Sequence, residues 1–368
     1  MTRVLAVTAG SHSVGVALLE PGDDPDAIRE LAAETLDVEP GSSEAADTLR
    51  DFVGALPAPP DVVGHRLVHG GGLVAVPTVV DDALASALEE VADLAPQHDP
   101  PALALLAAAR AELPGVPHYV CPDTAFHAAL PPAAALLPLP AEWRERWGLH
   151  RYGFHGLSYA WASRRASVLL GRPRAALNLV IAHLGGGGSV CAVAGGLSVD
   201  TTMGMTPLDG IPMTKRSGAV DPGLLLWLLN GRLTLDALTE GLQAKSGLLG
   251  MSGGISDDTR ELVASRDPAA AAALDAYAHA VRRAIGAMAA SLPRLDALVF
   301  TGEIGWDQPE VRAAVCGELA VLGVQPLTGG NRDEDGVIST GGVPVLVVET
   351  KEEHQIALEV TAAARSVP

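Results

Sequence analysis

Short apolar runs alternate with glycine-bearing turns and amphipathic segments along the whole chain. The most informative stretch has an apolar run at 179–182, glycines at 185–188 and a second apolar run at 190–193. Strand, glycine turn and strand together predict a β-hairpin. Four consecutive glycines exceed what a turn requires, and they leave backbone N–H groups that can approach a phosphate closely. The loop that follows reaches Arg216, and a guanidinium there suggests handling of a phosphoryl group.

A second hairpin is predicted near the N-terminus, over residues 3–20, with its turn at 9–11. Its likeness to the hairpin at 178–193 suggests two structurally related halves, although an ordinary hairpin explains it equally well. Strands alternate with helices in the rest of the chain, which predicts an α/β fold with mixed sheets. The predicted helices include 26–35, 43–56, 82–94, 101–113, 158–170, 223–229, 233–243, 268–292, 310–322 and 351–366. The predicted strands include 62–68, 116–120, 297–301 and 343–348.

One segment is predicted to be a linker between the halves. Residues 131–140 read PPAAALLPLP, and repeated proline is expected to prevent a regular element. Two further segments are predicted to be glycine loops, at 246–254 and 302–305.

Composition narrows the classes of function. The net charge of −19 disfavours nucleic acid and anionic membrane surfaces as partners. The 368 residues suffice for two domains, and no apolar run approaches the ~20 residues of a transmembrane helix. Cys121, Cys191 and Cys316 show no metal-site spacing and fit a reducing compartment. We therefore expect a soluble, cytoplasmic protein without nucleic-acid or membrane partners.

The candidate chemistry lies at predicted strand ends, where functional loops are common. Arg66 and Arg216 suit an anion site, although a lone arginine is usually a surface cation. Asp123 follows a strand, where a carboxylate holds Mg²⁺, orients a nucleophile or merely caps a turn. Thr350 and Glu353 have capping-box spacing, which leaves Glu352 as the better metal candidate.

The familiar nucleotide-binding fingerprints, the Walker loop and the Rossmann glycine motif, are missing. A nucleotide would therefore need several separate glycine turns, each of which is weak evidence by itself. Histidines 98, 155 and 183 are flanked by proline or glycine and could donate to a phosphoryl oxygen, although a structural role is the default for each.

Taken together, the segments resemble the acetate kinase family of short-chain acyl kinases. The matching motifs are spread over nearly the whole chain in the family's order: GHRLVHGGG (64–72), APQHDP (95–100), PDTAFH (122–127), RYGFHG (151–156), 178–223, 246–260, FTGEIG (300–305) and VVETKEEHQIA (347–357). The resemblance implies an actin-like ATPase fold, as in acetate and sugar kinases, Hsp70 and actin, with two related ribonuclease H-like domains around a cleft. The first domain would comprise 1–127 with 354–368, on the acyl side, and the second 128–353, on the nucleotide side.

The resemblance also implies the reaction and its cofactors. A kinase of this family transfers a phosphoryl group directly and reversibly between ATP and a short-chain carboxylate, acetate first, with Mg²⁺ or Mn²⁺ and often as a homodimer. A carboxylate is already a nucleophile, so it needs charge neutralisation rather than a general base. The alternatives are another acid such as propionate, butyrate or a polar acid, a catalytically degenerate nucleotide-binding or sensor member, and a sugar-kinase-like ATPase.

The family's site residues are carried over motif by motif. The catalytic set would be Arg66, Asp123, His155 and Arg216. The acyl pocket would use Arg66, Val68, Gln97, His98, Phe154 and Pro207. The nucleotide would be held by His183, Gly185, Gly186, Gly187, Asp258, Thr259, Arg260, Glu303 and Ile304. The metal site would use Thr8, Asp123 and Glu352.

Several positions depart from the family pattern. Thr8 stands in place of asparagine near the metal, and Gln97 replaces an apolar residue of the acyl pocket. Gly186 replaces asparagine in the phosphate loop, and Thr214–Lys215 replaces a Gly–Thr pair. Glu303, with Trp306 and Asp307, changes the adenosine loop. The phosphoryl-transfer residues are complete, so we expect an active kinase. The departures fall on nucleotide binding and on the acyl pocket, where the preference for nucleotide and acid is set.

Overall fold

The computed structural model describes residues 2–10, 13–22, 27–328 and 334–365. The chain divides into two compact units. The first contains the described parts of Met1–Ala128, Phe154–Leu157 and Lys351–Pro368, and the second contains those of Ala129–Gly153 and Ser158–Thr350. The domain boundaries expected from the sequence, 127/128 and 353/354, stay a prediction. Ser11, Asp26 and Ser366, at the edges of predicted elements, lie outside the described residues.

Each unit is built on one six-stranded mixed sheet. The strands are β1 (Val4–Ala9), β2 (Val14–Pro21), β3 (Ile28–Leu36), β4 (Val62–Leu67), β5 (Thr78–Val79) and β6 (His118–Pro122) in the first unit. Those of the second are β7 (Asn178–Leu184), β8 (Gly188–Ala194), β9 (Leu197–Thr201), β10 (Ala297–Thr301), β11 (Gly336–Val337) and β12 (Val345–Val347).

The α-helices complete the inventory. They are α1 (Ser43–Gly54), α2 (Asp82–Glu90), α3 (Asp99–Glu112), α4 (Pro132–Ala135), α5 (Ala141–Trp147), α6 (Gly156–Leu170), α7 (Pro222–Leu229), α8 (Leu235–Ala244), α9 (Gly247–Met251), α10 (Thr259–Ala264), α11 (Pro268–Ala290), α12 (Gly302–Asp307), α13 (Pro309–Cys316) and α14 (Glu352–Arg365). Short 3-10 helices cover Ala92–Leu94, Asp123–His127, Arg174–Ala176 and Ala320–Leu322.

The two sheets have the same topology. The strand order is β3-β2-β1-β4-β6-β5 in the first unit and β9-β8-β7-β10-β12-β11 in the second. In both, an antiparallel meander of three strands pairs in parallel with two further strands, and a short antiparallel strand closes the edge. The predicted α/β fold with two related halves is therefore confirmed.

Helices cover both faces of the first sheet, which explains why its central strands are almost continuously apolar. Along β1, Leu5 and Val7 belong to one core cluster, whereas Val4 and Ala6 belong to the other. The first cluster includes buried residues of α1 and α3, and the second includes those of α14. The parallel strands β4 and β6 lie side by side and end together, with Leu67 opposite Pro122. Their carboxyl ends carry Arg66 and Asp123, two of the candidate residues of this unit.

The second unit has its main core between the sheet and the long helix α11. Val180 and Phe300 from the sheet belong to the same buried cluster as Val281 and Ile285 from α11. Because β7 and β10 are parallel neighbours, His183 at the end of β7 lies in register with Thr301 at the end of β10. The glycine-rich segments that follow these strands therefore begin at the same edge of the sheet.

Several sequence predictions about elements are wrong. The predicted helix at 26–35 is instead strand β3, an edge strand paired with β2. The proline-rich segment 131–140 contains the short helix α4, because Pro131 and Pro132 lie at its start, where proline is tolerated. The predicted glycine loops at 246–254 and 302–305 contain helix α9 and the start of helix α12. Among the helices that the structure describes, none is long and apolar enough to cross a membrane.

Candidate active site

A partly buried guanidinium and two carboxylates meet at the carboxyl end of the first sheet. Arg66 is the penultimate residue of strand β4. It donates from Nη2 to Asp123 Oδ2 at 2.7 Å and from Nε to Asp123 Oδ1 at 3.2 Å. The same Nε lies 3.1 Å from Glu352 Oε2, at the start of α14. The Asp123 side chain is only 1% exposed. The structure thus brings together three residues that are far apart in the sequence.

Negative charge is in excess in this cluster. Burial lowers the pKa of Arg66, but Asp123 and Glu352 outweigh it, so its pKa lies above the ordinary value. Burial raises the pKa of Glu352 to about 7; Arg66 lowers it, while Asp123 and Glu353 raise it further. One guanidinium therefore faces three carboxylates, and a further cation would relieve their mutual repulsion.

Glu353 has a different role from the one predicted. It accepts a hydrogen bond at Oε1 from Thr8 Oγ1, 2.8 Å away, within the first unit. Thr350 instead accepts from the Gly302 N–H at 2.9 Å, within the second unit. The predicted capping box is wrong, because both of its side chains are engaged elsewhere. Thr8 is held beside the acidic cluster through Glu353.

The donor set of this cluster suits magnesium. Among the described residues, no three or more His, Cys, Asp or Glu side chains form a ready-made metal cage. Mg²⁺ commonly uses one or two carboxylates and completes its shell with substrate phosphates and water. Asp123 and Glu352 offer such a pair, and the negative surplus around Arg66 favours a divalent cation.

The candidate acyl-pocket residues of the first unit differ in exposure. Val68 and Phe154 are buried, His98 is half-buried and Gln97 is exposed. Phe154 packs edge-on against His69, with ring centroids 5.3 Å apart, and its carbonyl accepts from His127 Nε2 at 2.9 Å. The apolar wall of the predicted pocket is thus fixed in place.

His155 has a strained backbone. Its φ of 58° is the one positive value for a residue other than glycine in the described ranges. Such outliers persist where surrounding contacts enforce them, and they cluster at functional sites. The next residue, Gly156, allows a close approach, because a Cβ there would lie 2.0 Å from the carbonyl oxygen of Asp123. The segment that carries His155 is therefore packed directly against the backbone of Asp123.

In the second unit, the predicted phosphate hairpin is formed by β7 and β8. His183 pairs in register with Ser189, and its Nδ1 lies 2.8 Å from Ser158 Oγ. The glycine turn is closed by a bond from Gly185 N–H to the Gly187 carbonyl at 2.8 Å. The candidate phosphate-binding residues therefore share one strand end.

Two departures from the family pattern contact each other in this unit. Thr214 donates from Oγ1 to the carbonyl of Gly186 at 3.2 Å, which links the Arg216 loop to the glycine turn. Lys215 forms a half-exposed ion pair with Asp257. Arg216 Nη1 lies 3.5 Å from the carbonyl of Pro207, and burial lowers the pKa of its guanidinium. Pro207 therefore lies beside Arg216, in a different unit from the other acyl-pocket residues.

The candidate adenosine residues also belong to the second unit. Asp258 caps α10 and pairs with Arg260, Nη2 to Oδ2 at 2.9 Å, while Thr259 is buried. Glu303 and the buried Ile304 lie in the first turn of α12. The guanidinium of Arg260 has a raised pKa, chiefly through Asp258, with a smaller contribution from Glu303. The carboxylate at position 303 therefore has a weak electrostatic attraction to Arg260.

Comparison with known proteins identifies the family. The sequence profile of the acetokinase family matches residues 29–358. The chain belongs to the acetokinase family. It is 45% identical over 302 residues to an acetate kinase of Synechococcus sp. (strain JA-2-3B'a(2-13)), which covers 80% of this chain and 74% of that protein.

Solved structures of the acetokinase family share its fold. A Porphyromonas gingivalis acetate kinase superimposes with a TM-score of 0.86 at 30% identity, over 99% of this chain and 100% of that one. A propionate kinase from Francisella tularensis subsp. tularensis SCHU S4 gives the same TM-score and identity, over 98% and 99% of the two chains. The predicted acetate kinase-like class and the actin-like ATPase fold are confirmed.

Two carboxylates that contact the candidate site segments were not predicted from the sequence. Glu353 was assigned to a helix cap, and Asp99 was not singled out. Asp99 accepts from the N–H groups of Val68 and His69 at 3.0 and 3.2 Å. The only signal for it was an acidic residue before two prolines at a helix start, which is ordinary for a helix N-terminus.

Proposed function

We propose that the protein catalyses reversible phosphoryl transfer between ATP and a short-chain carboxylate, with acetate as the favoured acid. The observation that carries this proposal is the partly buried Arg66, held by Asp123 and Glu352 at the carboxyl ends of β4 and β6 in a chain of the acetokinase family. A guanidinium in that setting can bind a carboxylate or a phosphoryl group through two parallel hydrogen bonds.

Each unit supplies part of the reaction. In the first, Arg66 would neutralise the acid, Asp123 would orient its carboxylate, and His155 would donate to the phosphoryl group. In the second, His183 and glycines 185–187 would hold the phosphates of ATP. Arg216 would stabilise the charge that spreads over the transferring phosphoryl oxygens. The acid needs no base, so catalysis comes from positioning and electrostatic stabilisation.

We propose Mg²⁺, or Mn²⁺ in its place, as the metal. Asp123 and Glu352 would hold it, and Thr8 would act beside them through Glu353. When bound, the metal would neutralise negative charge on the nucleotide phosphates. The raised pKa of Glu352, about 7, reflects burial and repulsion between carboxylates, and both favour a cation at this place.

Acetate is proposed ahead of polar acids because Val68 and Phe154 are apolar and buried. It is proposed ahead of larger acids because the similar proteins include acetate kinases. Gln97 is exposed, which weakens the expectation that it selects a hydroxylated acid. Propionate is the next candidate, since a similar structure is described as a propionate kinase.

The proposed compartment is the cytoplasm, where ATP is available. The three cysteines are unpaired and buried, as is usual for proteins of reducing compartments. We also propose a homodimer built through α7. This helix is uncharged and has no buried residue; Leu226 is 72% exposed and Trp227 54% exposed. Each copy carries a charge of −19, so an uncharged face such as this one would allow contact between two copies with little local repulsion.

The test is an acyl-phosphate trapping assay with hydroxylamine, in the presence of ATP and Mg²⁺. Acetate, propionate, butyrate and a hydroxylated acid are compared at equal concentration. We expect turnover with acetate and less with the longer and the hydroxylated acids. Absence of turnover with all four, in both directions, would overturn the proposed function, and thermal stabilisation by ATP without turnover would instead identify a nucleotide-binding member without activity.

A further inference from the structure

The backbone directly after β4 lies beyond the end of the β4–β6 pairing. The parallel ladder between β4 and β6 ends where Leu67 faces Pro122, so the N–H groups of Val68 and His69 lie beyond it. Both donate to one oxygen of Asp99, Oδ1, at 3.0 and 3.2 Å. Buried N–H groups need an acceptor, and Asp99 supplies one for two of them.

Asp99 is itself fixed in place. It is the first residue of α3, its side chain lies in the interior with the residue only 1% exposed, and its own N–H donates to the Ala95 carbonyl at 2.9 Å. The preceding residue is His98, a candidate acyl-pocket residue. One carboxylate thus joins the segment that carries His98 to the segment that carries Val68.

The connection continues to the other wall of the candidate pocket. His69 accepts at Nδ1 from the N–H of Gly71 at 2.9 Å, which fixes the imidazole so that it meets the Phe154 ring edge-on. The N–H of Gly70 donates to Thr124 Oγ1, next to Asp123, at 3.3 Å. The turn at 68–71 is therefore held from three sides.

We propose that Asp99 is a positioning residue for the acid substrate: it sets the separation between the His98 segment and the strand end that carries Arg66 and Val68. It does not touch the reacting atoms. This inference rests on the proposed function and adds to it a residue that controls the affinity for the acid rather than that for ATP.

The protonation state of Asp99 sets the pH at which its role is tested. Burial raises the pKa of this carboxyl to about 7; the N–H groups of His69 and Val68 lower it, Asp123 raises it and Arg66 lowers it. The titratable groups on the neighbouring segments are His69 on the turn and His98 on the preceding residue. Assays at about pH 8 therefore keep most of Asp99 ionised, where it accepts hydrogen bonds most strongly.

The experiment compares four proteins by steady-state kinetics with acetate and ATP varied separately: wild type, Asp99→Asn, Asp99→Glu and Asp99→Ala. Asn keeps an oxygen acceptor at the same reach, so KM for acetate should stay within about three-fold of wild type. Ala removes the acceptor, so KM for acetate should rise about ten-fold or more, with KM for ATP within about two-fold. Glu keeps the charge but moves the acceptor, and should resemble Ala.

The matched control is Asp81→Ala. Asp81 is an exposed N-cap of α2 that accepts from the Leu84 N–H at 2.7 Å, so this variant loses a helix cap without touching the pocket segments.

Melting temperatures show whether each variant folds. If the Asp99→Ala protein does not fold, the comparison of KM for acetate between the Asp99→Glu and Asp99→Asn proteins decides. Equal changes in KM for acetate and for ATP, or an unchanged KM for acetate in both the Glu and Ala variants, would overturn the inference. A wild type without turnover defeats the proposed function, and this inference with it.

Discussion

At the residue scale, the site depends on how one guanidinium is held. Arg66 is 16% exposed as a side chain and pairs with two carboxylates that are less exposed than it is. A buried pair of this kind contributes little net stability by itself, and its removal leaves uncompensated charge. Its geometry is therefore better explained by what it binds than by folding.

The first prediction concerns this geometry. Arg66→Lys keeps the charge but loses the planar fork, so kcat/KM should fall about 100-fold or more. Arg3→Lys is the matched control: Arg3 pairs with Asp61 at 3.0 Å on the surface, and that exchange should leave kcat/KM unchanged. Steady-state kinetics of both variants check this. An Arg66→Lys enzyme within two-fold of wild type would contradict the assigned role.

Single residues were predicted from sequence to different degrees. Arg66 and Asp123 could be found because each follows a strand, and parallel strands end at one edge of the sheet. Asp99 and Glu353 could not be found in this way. The partner of Asp99 is a backbone turn about 30 residues away, and the partner of Glu353 is the hydroxyl of Thr8 on strand β1. Local rules such as the capping box do not predict contacts between residues that are far apart in the sequence.

At the scale of elements, the strand–turn–strand patterns predicted the hairpins correctly. Where a segment had only a weak local preference for helix, tertiary pairing determined its structure instead. The segment Ile28–Leu36 is rich in Ala, Leu and Glu, which favour helix, yet it pairs with β2 as an edge strand. Its register shifts between Leu18 and Leu19 of β2, an irregularity typical of sheet edges. The residues of this segment alone do not predict that pairing.

The second prediction tests how the start of α6 is placed. Gly156→Ala puts a Cβ 2.0 Å from the Asp123 carbonyl and 2.7 Å from Phe126 Cβ, so one segment must move. We expect loss of most activity and a lower melting temperature. Gly286→Ala in the middle of α11 is the control, since nothing lies within 4 Å of its Cβ. That variant should gain roughly 0.5–1 kcal/mol. Equal behaviour of the two variants would contradict the close approach.

At the scale of the whole molecule, the structure confirms the two related halves that the sequence suggested. The hairpins at 3–20 and 178–193 suggested two related halves, and the sheets repeat each other strand for strand. The edge strands β5 and β11 have only two residues each, too few for any periodicity, so the sequence could not predict them.

The third prediction concerns acid stability. His65 and His118 stack in the first unit, 3.0 Å between Nε2 and Nδ1, and burial lowers the pKa of both. Burial also lowers the pKa of His127 to about 4. Below about pH 6.5 the unfolded chain binds protons that the native state excludes. The free energy of unfolding therefore decreases as the pH is lowered, by roughly 1.4 kcal/mol per pH unit for each histidine.

Urea unfolding between neutral pH and about pH 5 measures this slope. His127→Gln keeps a donor for the Phe154 carbonyl but cannot titrate, so its stability should depend less steeply on pH than that of wild type. Parallel curves for the two proteins would contradict the assignment.

The fourth prediction concerns association. Leu226→Glu places a charge on the exposed face of α7 and should halve the mass seen by sedimentation equilibrium. Val321→Glu is the control: Val321 is 90% exposed, but it lies on an isolated 3-10 turn, so its replacement should leave the mass unchanged. A wild-type protein that sediments as a monomer would contradict the homodimer.

The central claim is transfer of a phosphoryl group from ATP to a carboxylate. Phosphorus NMR of the wild-type protein with ATP, Mg²⁺ and acetate measures it directly, because acyl phosphate, ADP and inorganic phosphate give separate resonances. The account predicts acyl phosphate and ADP in equal amounts, and the reverse reaction when acetyl phosphate and ADP are supplied. ADP accompanied only by inorganic phosphate, or ATP left unchanged with every acid, would contradict it.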